Sequence, residues 1–297
     1  MFIKSEEANN YLKERNYPIS SITKPADYSI VYISLKIADQ LENVRGHKGV
    51  FVFAQNGLDI NEDLEKDNIF CMVEDPSRAF AGYVEEVYGE KERKNRTRKY
   101  TLTDGGYTVG ENVSIGENTY IEPGVLIDHD VVIGKDCVIK FGAVLRNCVV
   151  GNGCNIYEAA IVGNEPYNFH PENGHYVHSI AVGKAVLKDM VDVGAHSIVD
   201  RGTITDTTLY DDVKLDTYVH IGHDAVVGKG SKVTSSSIVG GFCEVGENSE
   251  ICTAVLRKRI KVGNRAFVGL NSGVLSDVAD DAEVFGYPAR LLKKGTN

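Results

Sequence analysis

From Val109 onward a branched aliphatic residue recurs every six positions. The first run is Val109, Ile115, Ile121, Ile127, Ile133 and Ile139. A longer run is Leu209, Leu215, Ile221, Val227, Val233, Val239, Val245 and Ile251, and a third is Val262, Val268 and Val274. Glycine follows many of them, as at Gly110, Gly116, Gly222, Gly240 and Gly263. A period this short points to a stacked repeat rather than a globular sheet. Each unit supplies one short strand and one corner. The aliphatic points inward, where β-branching suits a stacked strand, and glycine fits where the next coil crowds the backbone. Three units close a triangular coil of 3 × 6 = 18 residues. Neighbouring coils hydrogen-bond at about 4.8 Å, so roughly eight coils give a prism of about 40 Å. Residues 18 apart in sequence then lie one above another.

The period breaks between Val162 and Val182. The run from Gly163 to His178 is polar and aromatic, with Pro166 and Pro171. It reads as a loop thrust out from one corner, and its aromatics Tyr167 and Phe169 make it a candidate ligand-binding element. The period is also absent before residue 105. There, Val31–Leu35, Val50–Phe53 and Ile69–Val73 read as strands and Ser5–Glu14 as a helix. A second helix is expected over Asp75–Tyr88, with Asp75 as N-cap, Pro76 as first residue, and an apolar face of Ala79, Phe80, Tyr83, Val84 and Val87. A small α/β domain fits this segment.

The formal net charge is −10 over 297 residues. An acidic chain is a poor nucleic-acid partner, because phosphate binding needs a basic surface. The most basic stretch, Lys91–Lys99, reads as a solvated linker. The six cysteines form no Cys-x-x-Cys pair and no zinc-finger spacing with histidine, and so read as buried, reduced thiols. The first residues turn acidic at once, unlike a signal peptide, and no apolar run approaches the roughly 18 residues of a membrane span. A cytoplasmic location is expected.

Chemistry is expected where polar residues are densest: Asp200–Thr207 and Asp216–Asp224. His223 lies two places after inward Ile221, so it should sit at a corner and point outward. One coil on, 223 + 18 = 241, a glycine. An imidazole beside a glycine N–H can take a proton from a nucleophile while the N–H holds a developing oxyanion. Asp224 or Asp216 would orient the imidazole or contact a substrate. A metal site from His196, His220 and His223 is a rival, although residues 220 and 223 should face different directions.

Asp200-Arg201-Gly202, then Asp216, then Ile221-Gly222-His223-Asp224 resembles the UDP-3-O-acylglucosamine N-acyltransferases of lipid A synthesis. Their pattern reads Asp-Arg-Gly, Ile-Asp-Asn and Ile-Ala-His-Asn. The stretch Asp75–Ala81 also resembles the end of that family's N-terminal domain. The resemblance implies a left-handed parallel β-helix, a homotrimer with active sites in clefts between subunits, and acyl transfer from a thioester to the amine of a nucleotide sugar. It implies His223 as general base and Gly241 as oxyanion glycine, with Asp200, Arg201, Asp216 and Asp224 near substrate. By the same resemblance Phe53 and Asn56 fit the aromatic and asparagine that hold uracil. Three departures stand out. The loop carries Pro166-Tyr167-Asn168-Phe169 in place of Gly-Phe-Gly-Tyr. Arg257 falls at or near the place of a second family histidine. The family's C-terminal helical extension has no counterpart before the chain ends. Instead, Phe285–Arg290 resembles the Gly-x-Pro-Ala-Lys/Arg ending of coenzyme A-dependent hexapeptide acetyltransferases.

The expected organisation is a mainly β chain: an α/β nucleotide-sugar-binding domain over 1–98, a left-handed β-helix catalytic domain over 99–276, and a tail over 277–297. The expected function is N-acyl transfer from a short-chain acyl-CoA to a nucleotide-linked amino sugar, with Arg257, Lys258 and Arg290 at the donor and no bound cofactor or metal. One alternative is the lipid A enzyme itself, using hydroxyacyl-acyl carrier protein. Others are a γ-type carbonic anhydrase on the same scaffold, which would carry zinc, and a non-catalytic structural solenoid.

Overall fold

The computed structural model describes residues 1–15, 17–172 and 174–286. The chain forms two compact units, one of Met1–Thr97 with Tyr167–Val182 and one of Arg98–Pro166 with the residues from Gly183 onward.

The first unit is built on three strands that are apolar almost throughout: β1 (Ile30–Ile33), β2 (Phe51–Gln55) and β3 (Ile69–Val73). They pair in parallel in that order, with Ile30 opposite Phe51 and Phe51 opposite Ile69. Continuous apolar runs are what a parallel sheet covered on both faces demands. Val31, Ile33, Val52, Ala54 and Phe70 form its buried core with Leu41, Val44 and Leu64. Three α-helices accompany the sheet: α1 (Ser5–Lys13), α2 (Glu62–Asp67) and α3 (Pro76–Asn95). The α3 N-terminus is as expected: Pro76 opens it, and Asp75 Oδ1 accepts the Arg78 N–H at 3.0 Å. The helix runs on to Asn95, so much of the stretch read as a linker is helical. Lys91–Lys94 are good helix formers, Lys94 pairs with Glu90 at 2.7 Å, and cations suit a helix C-terminus. The inserted loop is an antiparallel hairpin of Phe169–Glu172 and His175–His178. Arg78 and Glu172 approach to 3.8 Å within this unit.

The second unit is the solenoid, a left-handed β-helix with three long parallel faces. Most strands are two residues long, and the second residue of each points inward. Ile127, Ile139, Leu209, Ile221, Val227 and Val239 are completely buried. Ile115 is 37% exposed because its strand ends one face and has a neighbour on one side only. The corners use the left-handed backbone region, filled by asparagine and aspartate at Asn112, Asn118, Asp130 and Asp136. A Cβ on Gly116 would lie 2.5 Å from the Gly134 backbone, which explains glycine after the inward residue. All six cysteines are free thiols. Cys137, Cys154 and Cys243 each donate to a carbonyl of the adjoining coil at 3.1 Å. Strand pairing continues past residue 276, to Glu283–Val284 beside Phe267–Val268.

Two coils are longer than the rest. His220 pairs with Ile238, a step of 238 − 220 = 18. Ile198 pairs with His220, a step of 220 − 198 = 22, and Ile161 with Ile198, a step of 198 − 161 = 37. Both additions leave the solenoid at the same corner. The larger one carries the hairpin, and the smaller is the segment around Thr203–Asp206.

Candidate active site

That corner carries His223 and Gly241, the two residues on which the expected chemistry rests. Going down the coils it presents the Thr203–Asp206 segment, then His223-Asp224, then Gly241-Phe242, then Lys258-Arg259. The expected stacking of residues 223 and 241 is present: a Cβ added to Gly241 would lie 2.7 Å from His223 Nε2. The Phe242 ring meets the imidazole edge-on at 5.1 Å, and the Arg259 guanidinium lies 4.4 Å from the Phe242 ring centroid.

His223 Nδ1 is 2.9 Å from Asp224 Oδ2. A carboxylate there requires a proton on Nδ1 and leaves Nε2 with its lone pair directed outward. The His223 side chain is 27% exposed, whereas that of Asp224 is fully buried. Five further bonds hold the carboxylate. Oδ2 accepts the Thr203 N–H at 2.8 Å and its hydroxyl at 2.6 Å. Oδ1 accepts the N–H groups of Ile204 and Thr205 at 3.1 and 2.7 Å and the Thr205 hydroxyl at 2.9 Å. Burial pushes the Asp224 carboxyl upward, but the bonds from His223, Thr203 and Thr205 outweigh it and hold it below the ordinary value.

The Gly241 N–H has no acceptor among the described residues. At other corners the matching N–H is bound by a side chain of the next coil: Lys135 to Asn152 Oδ1 at 3.1 Å, Glu247 to Asn264 Oδ1 at 2.9 Å, Asn264 to Asp280 Oδ1 at 2.9 Å. The corner therefore offers a base and an open backbone donor side by side, the pair that acyl transfer needs.

The other expected residues fall into separate groups. Asp200 is buried and contacts His220 Nε2 at 3.0 Å and Asn164 Nδ2 at 2.8 Å. The Asp200 carboxylate raises the His220 pKa. Arg201 is also buried; it donates to the Gly183 carbonyl at 2.8 Å and Glu165 at 3.1 Å. Asp216 is engaged away from His223, by the Ser235 hydroxyl and N–H and by the Thr217 N–H, which hold its pKa down. Arg257 and Lys258 are exposed, and Arg290 lies outside the described residues. His196 stacks on Tyr218 at 5.1 Å, and among the described residues no group of three His, Cys, Asp or Glu side chains is arranged to hold a metal.

In the first unit, Phe53 is buried on β2 and borders a cleft of about 720 Å³ with Ser5, Asn9, Asp75, Arg78 and Tyr83. Asn56 lies in the turn after β2, exposed, and is not part of the lining. On the hairpin, Tyr167 is 90% exposed and pairs with Phe169 at a ring distance of 4.9 Å.

Sequence reasoning missed Thr203, Thr205 and Phe242. The signal for the threonines was present: 22 residues separate Val199 from Ile221 where 18 close a coil.

Scaffold and corner together define a hexapeptide-repeat β-helix protein. Residues 112–147 match the family described as bacterial transferase hexapeptide (six repeats). The chain is 32% identical over 154 residues to UDP-3-O-acylglucosamine N-acyltransferase of Rhizobium meliloti (strain 1021), covering 51% of this chain and 44% of that protein. It is 25% identical over 151 residues to a probable UDP-3-O-acylglucosamine N-acyltransferase 2, mitochondrial, of Arabidopsis thaliana, covering 50% of each. The chain spans about half the length of the curated relatives it matches. Among solved structures, Arabidopsis UDP-N-acetylglucosamine acyltransferase superposes with a TM-score of 0.52 at 19% identity, over 62% of this chain and 71% of that one, a likeness of fold. Among the described residues no helix is long and apolar enough to cross a membrane.

Proposed function

We propose that the chain is an N-acyltransferase that moves an acyl group from a thioester to the amine of a nucleotide-linked amino sugar. The observation that carries this reading is the corner where His223 Nε2 faces Gly241, whose N–H is open. In the reaction the amine nitrogen attacks the thioester carbonyl. A C–N bond forms as His223 Nε2 takes the amine proton. The Gly241 N–H receives the negative charge gathering on the carbonyl oxygen. The C–S bond then breaks, and the imidazolium returns the proton to the leaving sulfur. The products are an amide and a free thiol.

The names of the relatives support an acyl acceptor of UDP-amino-sugar type. A short-chain acyl-CoA is the proposed donor, with Arg257 and Lys258 available to its phosphates. The second reading, the lipid A reaction with hydroxyacyl-acyl carrier protein, is favoured by those same names. Tyr167, Phe169 and the cleft beside Phe53 are the proposed contacts for the sugar nucleotide, in a cytoplasmic homotrimer. A self-association surface is supported by the outward row Ile198, His220, Ile238 and Val255 on the face that leads to the corner, apolar but for His220, with Ile238 41% and Val255 48% exposed.

The test is thiol release from acetyl-CoA, longer acyl-CoAs and hydroxyacyl carrier protein in the presence of UDP-linked amino sugars. Amine-dependent release is expected from one donor class, falling about 10²- to 10⁴-fold in His223→Ala. Release from no donor, or full activity in the variant, would overturn the reading.

A further inference from the structure

The small insertion before His223 is built around one atom group. It adds 22 − 18 = 4 residues to its coil. Its two threonine hydroxyls and three consecutive N–H groups all end on the Asp224 carboxylate. The Asp224 N–H in turn donates to the Thr207 hydroxyl at 2.7 Å, which closes the far end of the segment onto the same residue. Each carboxylate oxygen receives three donors, counting His223 Nδ1, and the side chain has no exposed surface. Asp224 therefore has no acceptor capacity left for a substrate hydroxyl. Its outlet is the imidazole.

We propose that Thr203 and Thr205 are positioning residues, which lock Asp224 so that it fixes His223 in the Nδ1–H tautomer with Nε2 aimed at the Gly241 side of the corner. This rests on the reading of His223 as the base. Two consequences follow from sharing one charge among six donors. The carboxylate cannot rotate away from the imidazole, so the tautomer is set before substrate arrives. The carboxylate also stays ionised, so the acceptor that holds the Nδ1 proton is in place when substrate arrives. Other polar groups near the corner leave this arrangement intact. Asp206 is turned to the Lys184 N–H at 2.7 Å, and Arg259 lies against Phe242. Lys258 occupies the same column one coil past Gly241 and is exposed.

The test compares Thr203→Val/Thr205→Val, which keeps shape and removes both hydroxyl donors, with Thr205→Ser, which keeps both. The imidazole ¹⁵N shifts of His223, assigned by the loss of signal in His223→Gln, report the tautomer without any substrate. A single Nδ1–H form is expected in the native protein and in Thr205→Ser, and a mixture of tautomers in the double variant. With substrate, kcat should fall about tenfold in the double variant with KM unchanged. If the double variant does not fold, Thr205→Val alone carries the same readouts. A folded valine variant with the native tautomer and native kcat would overturn the inference. Full activity in His223→Ala would instead overturn the assignment of the base, while the tautomer measurement still decides whether the threonines position the ring.

Discussion

The solenoid places the dipeptide His-Asp twice on the same corner, and the two copies do different things. His129-Asp130 follows inward Ile127, and His223-Asp224 follows inward Ile221, on strands of one sheet. Asp130 and Asp224 share the left-handed backbone, with φ of 60° and 57°. The backbones match, but the neighbours differ. Asp130 faces outward to Arg98 at 2.5 Å and Asn112 at 3.2 Å. His129 Nδ1 accepts the Glu111 N–H at 2.8 Å, so its proton is on Nε2, inside a side chain only 6% exposed. At the other copy the carboxylate turns inward, Nδ1 donates, and Nε2 opens toward a glycine. A position in the repeat does not by itself free a ring nitrogen. The neighbours one coil before and one coil after decide which nitrogen is open.

The largest effect should separate the two histidines. His223→Ala is expected to lower transfer about 10²- to 10⁴-fold with little change in melting temperature. His129→Ala should do the reverse. It strips the partner from the Glu111 N–H and leaves a void beside Tyr100, whose ring lies 4.6 Å away. A loss of about 1–3 kcal/mol in urea unfolding is expected, with transfer per folded molecule within about twofold of native. Equal loss of activity in both variants would break the contrast.

Next in size is the glycine. Gly241→Ala puts a methyl 2.7 Å from His223 Nε2, so the imidazole must shift and the substrate's oxygen loses its approach. A fall of about 10²-fold in kcat is expected with the fold retained. Gly273→Ala is the control on the same face, because a Cβ there meets nothing within 4 Å. It should match native activity and stability. If both glycine variants behave alike, Gly241 is not at the reacting centre.

The repeat made most of this legible in advance. Inward aliphatics at fixed spacing set the coil length, and that alone stacked residue 241 on 223. What the period hid was anything off the period. The hairpin Phe169–His178 has strand alternation too short and too polar to announce itself. The Thr203–Thr205 segment reads as a dense polar run until the 22-residue step is counted. Which aspartate serves His223 was undecidable from spacing, since Asp216 and Asp224 both lie within reach in sequence. Ser235 and Thr217 occupy Asp216, and the insertion delivers Asp224 to the ring. The second His-Asp pair at 129–130 is identical in sequence, and its difference from the first lies in Arg98 and Glu111, residues of a preceding coil and its approach.

The smallest effect concerns the third histidine of this face, His220, which meets a carboxylate as His223 does but on the strand rather than the corner. Asp200 raises its pKa above the ordinary value of 6.5. A raised histidine contributes stability that is fully present below the unfolded value and disappears as pH climbs through the folded one. Comparing native protein with His220→Gln should therefore show a stability difference that is largest near pH 5.5 and shrinks by pH 9. Because the His220 side chain is 43% exposed, water screens the pair, and the difference should stay under about 1 kcal/mol in urea melts. The same variant leaves Asp224 and its six donors in place, so kcat should match native. A fall in kcat in His220→Gln would mean that the histidine at the corner is governed from the strand as well as from the threonine insertion.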